Sequence, residues 1–356
     1  MTETVDSLAG VDRKLIYGYD LAGRRAQMTY PDGYVLAYAR DVDGALTMLS
    51  TPSLAPSPDL VGFQYDELGR LNRVGRGKGA GGITLYGYDA IGRLTSLSHD
   101  LFAGRTDPGA DTNDVNYALR YNPAFPAFQI TGVDTSNPLY VVNEGPYDHS
   151  SNISGLNQPR DKGSTVFGYD ARGNMASATA PASLTQYGFD LEGRLLTARN
   201  PSGAVYRYGY DPLGRLSRSE LDGSSASLAR FVYDGDALVA EYSSSGIMTH
   251  RYIHGPGSDQ PLLDERDPTT NKIRQNLFPD ARGSIVAVGY LDAAGLQTRI
   301  NKYDSDGVDG GRADDAASAW VNTGRFGYTG QVRLPEIGLT HYKARTYAPR
   351  FVLLAA

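Results

Sequence analysis

Tyr17-Gly18-Tyr19-Asp20-Leu21-Ala22-Gly23-Arg24 decides the fold, because it comes back. It returns as Tyr86-Gly87-Tyr88-Asp89-Ala90-Ile91-Gly92-Arg93 and as Phe167-Gly168-Tyr169-Asp170-Ala171-Arg172-Gly173-Asn174. Two further copies are Tyr187-Gly188-Phe189-Asp190-Leu191-Glu192-Gly193-Arg194 and Tyr208-Gly209-Tyr210-Asp211-Pro212-Leu213-Gly214-Arg215. A shorter one, Tyr65-Asp66-Glu67-Leu68-Gly69-Arg70, lacks the leading Tyr-Gly, and echoes sit at Tyr38, Tyr147, Tyr233 and Tyr303. From Tyr65 to Tyr88, and from Tyr147 through Tyr169, Phe189 and Tyr210 to Tyr233, the spacing holds at 20 to 23 residues. A fixed period of this size marks an array of units, each packing on its neighbours.

The letters of one unit spell a hairpin. Aromatics at i and i+2 point to the same face of a strand, because side chains alternate. The Gly between them presents no side chain and lets a backbone or ring come close. The Asp accepts hydrogen bonds from N–H groups two residues on and starts a turn. The Gly three residues after the Asp takes a positive φ that other residues resist. An apolar residue then opens the return strand: Leu71, Leu94, Met175, Leu195 and Leu216. Each repeat therefore reads as a β-hairpin of roughly 20 residues. The Arg after the Gly reads either as a scaffold group lying across a neighbouring Tyr or as a ligand-binding row. Its recurrence in nearly every unit favours the scaffold.

Composition agrees. The 356 residues are 40% hydrophobic and 21% charged, which excludes disorder. The 25 Tyr and 42 Gly suit half-buried strands and tight turns, hence an all-β chain. Net charge is −6 with no basic cluster, so nucleic acid is not an expected partner. The absence of Cys excludes disulfides and thiolate metal sites. Met1 to Gly10 is polar and acidic, unlike a signal peptide, and no apolar run approaches the ~18 residues of a membrane span. The compartment stays open.

Other motifs have mundane readings. Gly77-Lys78-Gly79-Ala80-Gly81-Gly82 satisfies G-x-G-x-x-G by letter, but it joins two Tyr-rich strands and no helix follows to meet a pyrophosphate. It is read as a hairpin loop. His250 and His254 lie in a strand-like stretch, where four residues separate them by about 13 Å, too far to share an ion. Asp304, Asp306 and Asp309 around Gly307 are the calcium candidate. Asp309 stands where that loop needs Gly and Asp315 where it needs Glu, so a repeat turn extended through Asp315 is preferred. No G-x-S-x-G elbow and no thiol nucleophile exist. Paired carboxylates of glycosidase type would need two acids not already used in turns, and none stands out. No catalytic residue and no cofactor is expected.

The units resemble the YD repeats of RHS proteins, which also occur in toxin-complex shells, wall-associated toxins and teneurins. Further stretches share the resemblance: Tyr121-Asn122-Pro123-Ala124 with Gln129-Ile130, Gly155-Leu156-Asn157-Gln158, and Tyr233-Asp234-Gly235-Asp236 with Leu238-Val239-Ala240-Glu241-Tyr242. Tyr252-Ile253-His254-Gly255-Pro256-Gly257 and Asp280-Ala281-Arg282-Gly283-Ser284 are similar to the RHS-associated core. Arg325-Phe326-Gly327-Tyr328-Thr329-Gly330-Gln331 and Gly338-Leu339-Thr340-His341-Tyr342-Lys343-Ala344-Arg345-Thr346-Tyr347 are similar to its closing motif. The resemblance implies repeats spiralling into a hollow β-cage around a C-terminal toxin, with the core as a plug. It implies cleavage by aspartates just beyond the core. Here Ala348-Pro349-Arg350-Phe351 replaces the expected Asp-Pro, and no cleavage motif follows, so a remnant or split shell without self-cleavage is expected.

The resulting expectation is an all-β stack of YD hairpins in one large curved sheet, a partial cage. Residues 1–243 would form the repeat wall and 244–356 the core. Residues 99–165, poorer in hairpin signals, would be irregular. The expected role is a shell segment whose partners are a toxin cargo and other shell segments, delivered by secretion or at a cell surface. A carbohydrate- or protein-binding module and a carboxylate enzyme are the alternatives. Open sheet edges should invite association.

Overall fold

Strand after strand pairs with its neighbour in sequence, as a hairpin code requires. The computed structural model describes residues 2–8, 11–52, 59–77, 81–106, 111–124, 128–142, 151–310, 322–351 and 353–354. Eleven strands, from Thr2–Leu8 to Ile130–Thr135, form one sheet in strict chain order. Fourteen more, from Asp161–Lys162 to Gly295–Ile300, form a second. Four, from Val332–Leu334 to Leu353–Leu354, form a third. Each order is linear, so none of the three closes into a barrel. The architecture is the all-β hairpin stack that the repeats predict, with the ladder parted into three.

The first parting has a chemical cause. Proline carries no N–H for a ladder. Pro138 opens a short 3-10 turn, Pro138–Tyr140, just after the last strand of the first sheet. Pro159 makes only an isolated bridge to Ile153 before the second sheet begins. The expectation of irregularity across 99–165 holds here, although Val115–Tyr121 and Ile130–Thr135 within that span are regular strands. Residues 125–127 and 143–150 lie outside the described residues.

Every full repeat closes its turn alike. Asp20 N donates to Arg24 O at 2.9 Å and Gly23 N to Asp20 O at 3.0 Å, and the pattern recurs at Asp66, Asp89, Asp170, Asp190 and Asp211. Gly23, with φ of 76°, occupies the left-handed region that a side chain would resist. The letters do not announce a bulge, yet the strand register slips once per repeat. It slips between Gly18 and Tyr19, Gly87 and Tyr88, Gly168 and Tyr169, Gly188 and Phe189, and Gly209 and Tyr210. A bulge re-aims the side chain beside it. The two aromatics of a unit accordingly differ. Tyr17, Phe167, Tyr187 and Tyr208 are buried, whereas Tyr19 is 46% exposed and Tyr169, Phe189 and Tyr210 are half-buried.

By packing, the chain divides into two compact units: Met1–Val141 with Tyr252–Arg282 and Val286–Ile300, and Val142–Arg251 with Gly283–Ile285 and Asn301–Ala356. In the first, Leu101, Phe102, Val115, Tyr140, Phe278, Val286 and Ala287 share a core. Tyr30 there donates its hydroxyl to Tyr252 O at 2.7 Å. A buried polar chain runs beside it. Arg76 donates to Leu277 O at 2.6 Å and to Thr84 Oγ1 at 2.9 Å. Thr84 Oγ1 meets His99 Nδ1 at 3.1 Å, and His99 Nε2 meets Pro279 O at 2.9 Å. Burial, then the Arg76 charge, pushes His99 down to about 3, so the ring is neutral near pH 7. A carbonyl only accepts; Nε2 therefore carries the proton and Nδ1 accepts from Thr84.

In the second unit the closing segment packs on repeat strands. The Phe351 ring stands edge-on to Phe167 at 5.0 Å between centroids. Glu336 Oε1 accepts from Tyr208 at 3.0 Å, and burial together with that carboxylate pushes the Tyr208 phenol far up.

Candidate functional site: the clasp between repeats and the closing segment

The repeat residues assemble a clasp. Asp89 Oδ1 accepts from Ile91 N at 3.1 Å and Arg93 N at 2.9 Å, while Oδ2 accepts from Arg93 Nε at 2.6 Å. The same three bonds form at Asp20 with Arg24, Asp66 with Arg70, Asp190 with Arg194 and Asp211 with Arg215. For Asp66, Asp89 and Asp190 burial pushes the carboxyl up, but hydrogen bonds from the Arg backbone and side chain outweigh it and hold it below the ordinary range.

Anchored by its Asp, the guanidinium reaches the next repeat. Arg70 lies 4.7 Å over Tyr88, Arg93 4.7 Å over Tyr121, Arg194 5.2 Å over Tyr210 and Arg215 5.1 Å over Tyr233. The covered tyrosine answers with its hydroxyl. Tyr88 donates to Leu71 O at 2.8 Å, Tyr121 to Leu94 O at 2.8 Å and Tyr210 to Leu195 O at 3.0 Å. Tyr65 likewise donates to Leu46 O at 2.9 Å. Each such contact is worth about 0.5–1 kcal/mol at a partly exposed site. The Arg row thus spends its charge on its own Asp and a neighbouring ring.

Among the residues expected to form a core motif, Arg325 grips Glu241 with Nε at 2.6 Å and Nη2 at 2.9 Å, and its guanidinium lies 5.2 Å over Phe231. Phe326 bridges Val332. Gly330 and Gly338 take positive φ of 73° and 65°. Leu339 is buried, Arg345 is exposed, and Tyr342 meets Tyr347 edge-on at 5.8 Å. Tyr347 donates to Asp306 O at 2.9 Å. Two of the candidate calcium carboxylates, Asp304 and Asp309, are separately engaged. Asp304 Oδ1 accepts from Asp306 N at 2.9 Å and Val308 N at 2.8 Å, making a repeat-style turn. Asp309 pairs with Arg333 and accepts from Asn322 at 3.0 Å. Among the described residues no three His, Asp or Glu side chains gather as a metal site, and Asp315 lies outside them. His250 and His254 both fall on the strand Met248–His254.

A cavity of about 380 Å³ opens beside this segment, with Tyr187, Asp309, Arg333, Glu336 and Arg350 among its walls. Its acids are engaged: Asp309 with Arg333, and Glu336 with Tyr208 and, at 3.4 Å, Ser219. Sequence reading missed Glu336 and Arg333, whose partners lie far away or in loops without repeat letters. It also missed the reason for Gly82. An added Cβ there would sit 2.6 Å from Phe278 Cζ and 2.8 Å from Leu101 O. Gly77 N donates to Leu60 O at 2.8 Å, and Lys78, Gly79 and Ala80 lie outside the described residues.

Hairpins in chain order, clasped Asp to Arg to Tyr, define a YD-repeat β-wall. The RHS Repeat family profile matches residues 189–225, which hold the strands Leu195–Arg199, Val205–Tyr210 and Leu216–Leu221 and the clasp of Arg194 on Tyr210. The chain carries an RHS repeat there. Double-stranded DNA deaminase toxin A of Burkholderia cenocepacia (strain H111) is 27% identical over 80% of this chain and 20% of its own length. Probable deoxyribonuclease RhsB of Dickeya dadantii (strain 3937) is 22% identical over 94% of this chain and 23% of its own. The chain thus spans about a fifth to a quarter of the length of these curated relatives. Its fold matches a chain of the Photorhabdus luminescens Tc holotoxin pore with mutation TccC3-D651A, at TM-score 0.62 and 16% identity, over 97% of this chain and 20% of that one. A chain of TcdB2-TccC3-TEV matches at TM-score 0.63 and 15% identity, over 97% and 20%.

Proposed function

We propose that this chain is a wall segment of an RHS-type shell that encloses or presents a toxin, with residues 1–243 as repeat wall and 244–356 as core. The observation that carries the reading is the ladder itself. Within each sheet strands pair in chain order, and the recurring polar groups of the turns are consumed in holding one hairpin to the next. Side chains spent this way build a surface. The Tc toxin components that share the fold, and the relatives named as toxins, support a toxin as the cargo and other shell segments as partners. The same kinship supports secreted or cell-surface delivery. A carbohydrate platform is less well supported, because Arg70 covers a face of Tyr88 where a sugar would stack.

The test is co-expression of the chain with the polypeptide that adjoins it and a candidate toxin. Electron microscopy should show a hollow particle, and the toxin should resist protease until the particle is denatured. A toxin digested at the same rate with and without this chain overturns the proposal.

A further inference from the structure

At the junction after Asn174 both halves of the clasp are missing together. Asn174 occupies the position of Arg70, Arg93, Arg194 and Arg215. It still donates to Asp170 Oδ2 at 2.9 Å and so keeps the turn, but its amide is uncharged and too short to lie over the next ring. That ring is Phe189, where the clasped junctions have Tyr88, Tyr121, Tyr210 and Tyr233. Phe has no hydroxyl to donate to the carbonyl opposite. The side chains of the strand add to the loss. Met175–Ala180 reads Met-Ala-Ser-Ala-Thr-Ala, although its pairing with Ser183–Phe189, over four residue pairs, is no shorter than those of the clasped junctions after Arg70 and Arg194. Short side chains remove little apolar area from water. Met175 and Ala178 are the buried residues of the first strand, and Tyr187 that of the second.

We propose that the pairing between Met175–Ala180 and Ser183–Phe189 is a built-in parting line of the wall, where the ladder opens without unfolding the hairpins beyond. The turns on both sides stay closed, since Asp170 and Asp190 keep their bonds to Asn174 and Arg194. What is absent acts only across the junction. A cation over a ring and a tyrosine hydroxyl bond together amount to roughly a ten-fold or greater change in an opening equilibrium.

Native-state hydrogen exchange of the whole chain, read by mass spectrometry, tests this. Amides in residues 175–189 should exchange at least ten-fold faster than those in 195–210 and 71–88, whose junctions are clasped. The double variant Asn174→Arg/Phe189→Tyr should bring 175–189 back to the level of the other two. The reverse change, Arg70→Asn/Tyr88→Phe, should speed exchange in 71–88 by a similar factor. Equal protection of the three segments in the unaltered chain overturns the proposal, as does a double variant that folds and leaves 175–189 unchanged. Should a variant fail to fold, the comparison within the unaltered chain decides alone.

Discussion

Two kinds of aspartate respond to acid in opposite directions. The turn aspartates Asp66, Asp89 and Asp190 have carboxyls held below the ordinary range in the fold. Their stabilisation is fully present above the unfolded value of about 4 and is lost as pH falls through the lower folded value. Asp114 behaves otherwise. Burial, helped by the charges of Asp100 and Asp111 and opposed by the Leu101 N–H, pushes it up to about 6. Its folded form prefers the proton, so it weakens the fold above pH 6 and that penalty disappears as pH falls from 6 towards 4. Asparagine keeps an acceptor for Leu101 N, which now donates to Asp114 Oδ1 at 2.9 Å. Asp114→Asn should therefore raise stability at pH 7.5 by about 1 kcal/mol, allowing for water around a half-exposed group. The gain should shrink to nothing near pH 4. Urea unfolding at several pH values measures it, and a gain constant with pH would contradict the assignment.

At the scale of a strand or hairpin, contact distance along the chain separates what the sequence discloses from what it hides. The turn is written in residues two to four apart: Asp89 to Ile91 and Arg93, Gly92 at positive φ. Such patterns survive in a single sequence, and so the hairpins and the all-β class are legible. The bulge before each second aromatic leaves no letter of its own. Nor does the clasp between repeats, since Arg70 and Tyr88 are joined only after two strands have paired. Still less visible are Tyr30 on Tyr252, or His99 on Pro279, each about 200 residues apart. Gly82 belongs to this hidden class. Its letters read only as part of a hairpin loop, whereas its cause is a ring and two carbonyls pressed against the strand Gly82–Tyr88. Gly82→Ala should destabilise the first unit by about 1–3 kcal/mol, because backbone cannot step aside as a side chain tip can. A thermal melt showing no change would mean that this contact is loose.

For the molecule as a whole, the open ladders matter most. Thr2–Leu8 has a partner on one side only, as does Ile130–Thr135, so each sheet offers rows of unbonded N–H and C=O groups among the described residues. Natural sheets cover or blunt such edges. The isolated chain should associate as its concentration rises, and sedimentation velocity from low to high micromolar should show the shift. A single monomeric species throughout would mean that the edges are blunted by other means.

Pairing in chain order within each sheet has a consequence for biosynthesis. A strand leaving the ribosome meets a partner completed seconds earlier, so the ladder zips up during translation at little loop-closure cost. Only the late residues, from Tyr252 onward, must search backwards across some two hundred positions to find Tyr30 and His99. A ribosome that stalls before Tyr252 would leave a ladder already zipped and its long-range staples still unmade.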